Sequence, residues 1–364
     1  MYNRPLEFIF SGFYFYHMKF NSFSILLCCA LFFSCSTTEE ELYKDVPLVF
    51  NKPANFPETT YDFANNPPTE KGFELGKKIF YEGRLASDGI VSCGFCHIQE
   101  DAFTHHGHSF SHGVENAMGT RNTPSIQNLA YRTSFMWDGV SSHLDLLSII
   151  PITSDFEMNG NFAQIIAMMK EDAAYKKLFS EAFPNKPIDS EHLLKALGQF
   201  MVMITSSNSK FDKFRRNEAG GTLTMQEQEG FALFNQKCTT CHATDLQTDN
   251  SFRNNGLSVN PSLNDVGRYR VTELAADKYK FKVPSLRNIE KTAPYMHDGR
   301  FLTLEAVLNH YSSEIVKSAT LDPSLLQNGV AGIPLTATEK AQIIAFLKTL
   351  TDNQYLTDKR FSEF

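Results

Sequence analysis

Apolar side chains recur at helical spacing through the middle and the end of the chain. In segments 162–183 and 190–206 they fall three or four positions apart, as on the buried face of an amphipathic helix. Prolines interrupt the pattern between these two segments, and a shorter segment of the same kind, 338–350, lies near the end of the chain. Thr224 and Glu227 have the spacing of a capping box, which predicts the start of a further helix.

Alternation of apolar and polar residues, the pattern of a half-buried strand, is nowhere long enough for a substantial sheet. We therefore predict a mostly α fold with few or no strands. The length of 364 residues suggests two domains, and a hydrophobic content of 42% can supply a core for each. The formal net charge of −7 argues against nucleic acid as a partner, because binding phosphates needs clustered Lys and Arg.

The N-terminus has the pattern of a bacterial secretory signal. A lysine after Met18 precedes an apolar run, Phe23–Phe33, which is followed by Cys35 and a polar stretch. The apolar run is too short for a membrane span, although an uncleaved anchor is the alternative. We predict a periplasmic or cell-envelope protein, lipid-anchored through Cys35, in which residues 1–17 reflect a start assigned too early.

Four of the seven cysteines lie in two Cys-x-x-Cys-His motifs. This motif attaches c-type haem, because its two thiols add to the haem vinyl groups and the histidine then reaches the iron as the proximal ligand. The sequence therefore predicts two covalently attached c-type haems. The predicted attachment and proximal residues are Cys93, Cys96, His97, Cys238, Cys241 and His242.

Paired cysteines also occur in four-thiolate zinc sites and in thioredoxin-like redox pairs. Neither alternative requires a histidine after the second cysteine of both pairs. Export also favours haem, which bacteria attach outside the cytoplasm. The other three cysteines fall in the N-terminal stretch, so the body of the chain has no unpaired cysteine for a disulfide framework.

The two motifs belong to a larger internal repeat. A proline and an aspartate have the same spacing in both copies, Pro124 to Asp138 and Pro284 to Asp298. Three pairs of segments match across the copies: 71–80 with 229–234, 122–128 with 282–288, and 135–139 with 295–299.

This duplication predicts two tandem cytochrome c-like domains, each built around one covalent haem. The polar, Gly-rich stretch 208–222 suggests where one domain ends and the next begins. The predicted organisation is a signal segment at 1–34, a polar tether at 35–68, and domains at 69–215 and 216–364.

With the repeat in view, the chain resembles bacterial di-haem cytochrome c peroxidases and their relative MauG. The resemblance implies two mostly helical cytochrome domains with a calcium ion between them. It also implies that the C-terminal haem accepts electrons and passes them to the N-terminal haem, where hydrogen peroxide is reduced to water. The matching signatures are Cys93–His97, Arg121–Pro124, Met136–Gly139, Pro151, Glu157–Met158, Cys238–His242, Val283–Asn288 and Ala293–Gly299.

The resemblance implies three catalytic residues near the first haem. Glu157 would move a proton between the peroxide oxygens, Trp137 would relay electrons between the haems, and His112 would be a distal ligand that leaves on activation. The alternatives are a solvated loop acid, a packed core tryptophan and a solvent-facing loop histidine. A family glutamine is expected at position 147, where this chain has Leu147.

His112 is one of four histidines in a Gly-containing loop, the others being His105, His106 and His108. A metal-binding histidine tract is a further alternative for this loop.

The sixth ligand of the second haem separates the subfamilies that the chain resembles. Peroxidases have a methionine at the position of Tyr311, whereas MauG has a tyrosine there. Tyr311 is therefore the first candidate, with the neighbouring His310 and the upstream Met296 as alternatives. Phenolate and imidazole lower a haem potential relative to a thioether.

The resemblance also implies calcium bound by the side chain of Asn122 and the main-chain carbonyls of Thr292 and Pro294, which suits a cation that prefers oxygen. The implied partners are hydrogen peroxide and a small redox protein as electron donor. A homodimer is compatible with the resemblance, and contact with a membrane is expected only through the lipid.

The predicted function is that of a di-haem cytochrome c peroxidase fed by a small c-type cytochrome or a similar donor. Two alternatives remain open at the level of sequence. One is a MauG-like oxidase that modifies a protein or an organic substrate, which Tyr311 favours. The other is a di-haem electron carrier without catalysis, against which Glu157 and the histidine loop argue.

Overall fold

The structure is a computed structural model that describes residues 45–363. The predicted signal segment, the alternative start and the lipid site at Cys35 lie outside the described residues. Within the described range, no helix has the length and apolar character needed to cross a membrane.

Helices dominate the described part of the chain, and the prediction of a mostly α fold is confirmed. Their caps follow the sequence, with Ser, Thr, Asp or Asn accepting a backbone hydrogen bond at the start of most of the longer ones. The helices are α1 Glu70–Phe80, α2 Cys93–Cys96, α3 Leu144–Leu147, α4 Ile149–Thr153, α5 Phe162–Glu171, α6 Ala173–Ala182, α7 Ser190–Met203, α8 Lys210–Arg215, α9 Met225–Lys237, α10 Tyr269–Thr272, α11 Leu304–Asn309, α12 Ala337–Lys348 and α13 Asn353–Leu356.

Among residues 45–363, the strands are two antiparallel pairs of two residues each. Strand β1, Phe252–Arg253, pairs with β2, Phe281–Lys282, and strand β3, Leu326–Gln327, pairs with β4, Val330–Ala331. A π-helical turn, His310–Glu314, continues α11. Short 3₁₀ turns occur at Gly83–Leu85, Gln99–Asp101, Val114–Asn116, Leu129–Tyr131, Ala275–Asp277, Ile289–Lys291 and Pro323–Leu325.

The long apolar pattern at 162–183 forms two helices rather than one. Asp172 ends α5 and caps α6, because its carboxylate accepts hydrogen bonds from the backbone amides of Ala174 and Tyr175. An N-cap of this kind satisfies amides that have no partner within the helix, so the break is stabilised locally.

The two halves use the same helix crossing. In the first half α1 packs against α7, and in the second half α9 packs against α12. A Cβ added to Gly76 would lie 2.0 Å from the carbonyl oxygen of Ala196, and one added to Gly230 would lie 1.9 Å from that of Gln342. Each crossing therefore needs a glycine where the two helix backbones meet.

This crossing corrects the alignment of the repeat by one helical turn. The sequence match paired Gly72 with Gly230, but Gly76 makes the equivalent contact, followed four residues later by buried Phe80 in one half and Phe234 in the other. A helix has nearly the same apolar face after four residues, so the sequence pattern alone does not fix this register.

Two apolar cores lie within the described residues. The first draws mainly on residues 56–204 and the second on residues 211–350. The end of the chain returns to the first core, since Tyr355, Leu356 and Phe361 pack there. The predicted division at residues 215 and 216 places this end in the second domain, whereas in the structure it packs against the first core.

Part of the predicted polar tether also belongs to the first core. Phe56 is 4% exposed and contacts Tyr131 edge-on, with ring centroids 5.4 Å apart. The side chain of Asn66 donates to Asp145 and receives a hydrogen bond from Gln199. These contacts hold the chain from about residue 50 onward against the domain.

Reciprocal hydrogen bonds join the two copies of the repeat. The backbone amide of Asn122 donates to the carbonyl of His297 at 2.7 Å, and the amide of Lys282 donates to the carbonyl of Trp137 at 2.8 Å. Each bond links the proline segment of one copy to the Asp-Gly segment of the other. The two copies are thereby arranged about an approximate twofold axis, with the joined segments between them.

A buried ion pair adds to this junction. The side chains of Arg287 and Asp212 both have 0% exposure and pair through two guanidinium nitrogens. Arg287 also donates to the carbonyl of Asp245 at 2.9 Å, just beyond the second haem motif. The guanidinium lies over the ring of Phe56, 5.0 Å from its centroid, and so also contacts the first core.

Candidate functional site

Both Cys-x-x-Cys-His motifs open onto one cavity of about 820 Å³. The cavity is lined by both copies of the repeat, including the buried rings of Phe80 and Phe234. It is large and mostly apolar in its lining, which suits flat, hydrophobic cofactors attached at its two ends.

The first motif is formed by the single helical turn α2. Ser92 caps this turn, accepting a hydrogen bond from the backbone amide of Phe95. The Nδ1 atom of His97 lies 2.7 Å from the carbonyl oxygen of Phe103, a residue in the left-handed backbone conformation. This contact fixes the ring orientation and leaves Nε2 as the free nitrogen on the cavity wall, as a proximal ligand requires.

The second motif repeats this arrangement. The Nδ1 atom of His242 lies 3.1 Å from the carbonyl oxygen of Gln247, which is also left-handed. Burial lowers the pKa of His242, and lowers the pKa of His97 to about 4. Both imidazoles are therefore neutral at physiological pH, the form that ligates a metal.

The thiols do not have the character of a reactive redox pair. Burial raises the pKa of Cys93 and of Cys238 to about 12, whereas a reactive dithiol needs a lowered pKa. Among residues 45–363, no cluster of three or more His, Cys, Asp or Glu side chains could hold a metal ion. The residues present therefore fit haem attachment at both ends of the cavity.

The histidine loop passes directly over the first motif. The carbonyl oxygen of His112 lies 4.0 Å from the sulfur of Cys96. Of the four loop histidines, His112 alone is found among the cavity-lining residues. His105 and His108 stack with centroids 4.3 Å apart, away from the cavity lining.

Glu157 lies against this loop, on the same cavity wall. The backbone amide of Val114 donates to the carbonyl of Glu157 at 2.8 Å. A Cβ on Gly113 would lie 2.2 Å from the carbonyl oxygen of Phe156, so only glycine permits this approach. Burial raises the pKa of the Glu157 carboxyl, whose charge also acts on the thiols of Cys93 and Cys96.

Leu147, at the position where the resemblance leads one to expect glutamine, also lines the cavity. Its side chain packs against the first core and offers no hydrogen bond to a bound oxygen species. Leu147 therefore cannot take the role of the expected glutamine, whereas Glu157 and His112 both line the cavity.

Trp137 lines the cavity between the two motifs. Its indole Nε1 donates to the carbonyl of Asn122 at 2.8 Å, and its own carbonyl accepts from the amide of Lys282. The indole is thus fixed at the junction of the two copies, where the predicted relay would have to lie.

The three candidates for the sixth ligand of the second haem differ in position. Tyr311 and Met296 both line the cavity, and the side-chain amide of Asn255 donates to each of them, at 3.4 Å to Tyr311 and 3.5 Å to Met296. His310 is 2% exposed, is not part of the cavity lining, and has its Nε2 atom 3.0 Å from the carbonyl of Asn255.

His310 and Tyr311 both lie in the π-helical turn and face different ways. Insertion of a π turn rotates the following side chains relative to an α-helix, which is common at functional sites. Burial raises the pKa of Tyr311 to about 12, while the hydrogen bond from Asn255 lowers it. Direct ligation would therefore have to stabilise the phenolate.

The three residues predicted to bind calcium, Asn122, Thr292 and Pro294, all border the cavity. The side-chain amide nitrogen of Asn122 donates to the carbonyls of His108 and Ser109, which leaves its oxygen free as an acceptor. This donor set is made of neutral oxygens and agrees with the chemistry of calcium.

Sequence reasoning missed several polar residues on the cavity wall. Three of them are Asn255, Arg132 and Lys282. Lys282 had a detectable signal, because it replaces Asn122 at the matching position of the repeat. The other two lie in segments without a motif, and only the fold brings them to the cavity.

The model of the di-haem cytochrome c peroxidase family matches residues 70–220. The methylamine utilization protein MauG of Methylorubrum extorquens is 35% identical over 296 residues, which cover 78% of this chain and 79% of that protein. The chain belongs to the di-haem cytochrome c peroxidase and MauG family. Membership implies an oxidoreductase with two c-type haems.

Members of both branches of the family are similar to this chain. The cytochrome c551 peroxidase of Nitrosomonas europaea is 30% identical over 295 residues, covering 77% of this chain and 80% of that protein. The crystal structure of a MauG-like protein associated with microbial copper homeostasis matches with a TM-score of 0.78 and 33% identity, covering 87% of this chain and 99% of that one.

Proposed function

We propose that this protein is a peroxide-dependent di-haem oxidoreductase that reduces hydrogen peroxide to water at its first haem. Two electrons and two protons convert one peroxide to two waters, and a small redox protein supplies the electrons through the second haem. The observation that carries the proposal is the placement of Glu157 and His112 on the cavity wall above the first motif.

A haem attached at the first motif would supply the iron at which peroxide is bound and reduced. The chain supplies the proton transfer. Glu157 takes a proton from the near oxygen of the peroxide and gives it to the far oxygen, which leaves as water. Leu147 and Met158 line the cavity on this side of the chain, and Met158 is buried.

His112 and Trp137 control access and electron supply in this proposal. His112 occupies the distal position until electrons reach the protein, and its loop contains Gly107 at φ +77°, with open space around it. Trp137, fixed between the two copies, shortens the path that an electron takes from the second haem.

The proposal is tested by following peroxide consumption with a reduced c-type cytochrome, before and after the protein is prereduced. Turnover that increases on prereduction is expected. A protein with both haems attached and no turnover in either state would be an electron carrier instead.

The raised pKa of Glu157 predicts a specific pH dependence. A carboxyl that keeps its proton to higher pH becomes an effective base at higher pH, so kcat/KM for peroxide should rise with pH through an acid limb above pH 4.5. The limb should be absent in Glu157→Gln. If Glu157→Gln keeps the same limb, another group titrates in it.

A MauG-like oxidation of a protein or organic substrate is the second candidate, and Tyr311 favours it. In that case the substrate supplies the two electrons and peroxide remains the acceptor. A tyrosine ligand would hold the second haem at a lower potential than a methionine ligand, so this haem would accept electrons less readily from a cytochrome.

Substitution of Tyr311 by Met is expected to raise the midpoint potential of the second haem and to increase turnover with reduced cytochrome c. Tyr311→Phe removes the phenol oxygen and should change the absorption spectrum of this haem. Spectroelectrochemical titration of the two variants measures both effects. Potentials and spectra identical to those of the parent protein would rule out Tyr311 as the ligand.

We also propose that the protein is located in the cell envelope, with a lipid on Cys35 as its only membrane contact. We propose further that Asn122, Thr292 and Pro294 bind calcium. Metal analysis after dialysis against a chelator tests the calcium, and mass spectrometry of the mature N-terminus tests the lipid.

A further inference from the structure

A single offset in residue number relates segment 122–139, which follows the first haem motif, to segment 282–299, which follows the second. The offset that takes Pro124 to Pro284 also takes Trp137 to His297 and Asp138 to Asp298. The structure preserves the equivalence, since Met136 and Met296 precede these residues with φ of +66° and +74°. Equivalent positions in sequence are therefore equivalent in space.

Applied to the predicted calcium ligands, the same offset yields a second set of three residues. Asn122 corresponds to Lys282, Thr292 to Arg132, and Pro294 to Ser134. In the second set, Lys282 takes the place of the asparagine side chain. Arg132 and Ser134 lie in the opposite copy of the repeat from Lys282, just as Thr292 and Pro294 lie in the opposite copy from Asn122.

The ammonium group of Lys282 lies beside the residues that correspond to the predicted calcium ligands. Its Nζ atom donates to the main-chain carbonyl of Ser134, the counterpart of the Pro294 carbonyl. The side chain is 7% exposed and its ammonium lies 5.8 Å from the ring centroid of Phe135. The backbone amide bond from Lys282 to Trp137 fixes the residue further.

Neither Lys282 nor Arg132 has an anionic partner among residues 45–363, and the guanidinium of Arg132 makes no hydrogen bond there. The nearby carboxylate of Asp138 already pairs with Arg121 at 2.7 Å. Both cationic side chains line the cavity. Lys282 is buried, and a buried charge without a counter-charge is costly, so this cation points to an anion within the cavity, which the partly buried Arg132 also borders.

We propose that Lys282 is a built-in cation that replaces, in one copy of the repeat, the calcium of the other, and that with Arg132 it binds the carboxylates of the haems. The two haems that family membership implies are the anions that this cavity receives, since each carries two carboxylates. The proposal rests on these haems and on the calcium proposed above, and not on the reaction with peroxide.

A cation beside a haem carboxylate favours the ferrous state, because ferrous haem has one positive charge fewer than ferric haem. Removing the ammonium of Lys282 should therefore shift the equilibrium toward ferric haem. The effect is large when the charges are shielded from water, as they are here.

The test is a spectroelectrochemical titration of the protein with both haems attached. In Lys282→Met we expect the ferric-to-ferrous ratio of at least one haem, at a fixed applied potential, to rise about tenfold, equivalent to about 59 mV. Lys282→Arg should keep the parental potential. Lys186→Met, which removes an exposed charge of the same type, should leave both haems unchanged.

Equal potentials in Lys282→Met and the parent would overturn the proposal, as would an equal shift in Lys186→Met. If Lys282→Met attaches fewer than two haems, the same titration is made on Arg132→Met. We expect the same shift in haem potential in that variant, and an unchanged potential would contradict the proposal. The difference between Lys282→Met and the parent should persist in a calcium chelator, because lysine fills its position without metal. A difference that disappears in the chelator would assign the effect to calcium.

Discussion

Substitution of Glu157 by Gln is expected to lower peroxide turnover about 10²- to 10⁴-fold, the usual contribution of a positioned acid–base group. Glutamine has nearly the same shape but cannot move a proton between the peroxide oxygens. The variant should therefore retain both haems and the backbone contact of residue 157 with Val114. Steady-state peroxide consumption and haem absorption measure these properties together.

Asp155→Asn is the matched control, because Asp155 is an exposed acid two residues away in the same segment. It removes one negative charge near the site without changing the cavity lining. Parental turnover in this control, with loss in Glu157→Gln, assigns the effect to the carboxyl. Equal turnover in all three proteins would remove Glu157 from the mechanism.

Substitution of Arg287 by Met is expected to lower the free energy of unfolding by about 3–5 kcal/mol, the usual cost of leaving one member of a buried ion pair without its partner. Asp212 would then be a buried carboxylate without its counter-charge. The effect is large because Arg287 also holds the Asp245 carbonyl and contacts Phe56 of the first core. Denaturant titration of the haem-bearing protein measures it.

The pH dependence identifies the ion pair as the cause. Burial by itself would raise the pKa of Asp212, but Arg287 outweighs it, and the pKa lies below its ordinary range. This stabilisation is therefore complete above the unfolded pKa of about 3.9 and is lost as the pH falls through the lower folded pKa. The deficit of Arg287→Met should be constant near neutral pH and smaller in acid.

Arg360→Met is the control for this experiment, since Arg360 pairs with Asp358 at the surface and its side chain is 68% exposed. Its effect on the free energy of unfolding should be less than about 1 kcal/mol. A deficit of that size in Arg287→Met as well would show that the buried pair contributes no more than a surface pair.

The parts of the site that the sequence predicts are those encoded by residues close together in the chain. The two haem motifs, the capping box at Thr224 and the duplicated segments depend on spacing within a few positions, and spacing of this kind survives folding. The family assignment followed from the order of such motifs and is confirmed by the comparisons.

The parts of the site and fold that the sequence left open depend on which side of a segment faces the cavity or a neighbouring helix. Tyr311 and His310 are neighbours, and only the folded chain shows that Tyr311 lines the cavity while His310 does not. Whether Gly72 or Gly76 is equivalent to Gly230 depended on the contact between two helices, which no local pattern encodes.

The prediction and the structure also differ where segments of polar composition pack into the first core. Residues 45–68 contain enough Pro, Asn and Thr to resemble a tether, yet Phe56 is buried in the first core. The C-terminal residues return to the same core through Tyr355, whose hydroxyl donates to the carbonyl of Ile126 at 2.8 Å. Such long-range contacts have no signature in a single sequence.

The central claim is that both haems serve one peroxide reaction located at Glu157. The most direct measurement mixes the fully reduced protein with one equivalent of hydrogen peroxide and follows both haems by stopped-flow absorption. We predict that one peroxide oxidises two haems, one electron from each, and that Glu157→Gln slows both oxidations alike. Two peroxides consumed per pair of haems, or a second haem that is oxidised at the parental rate in Glu157→Gln, would contradict the claim.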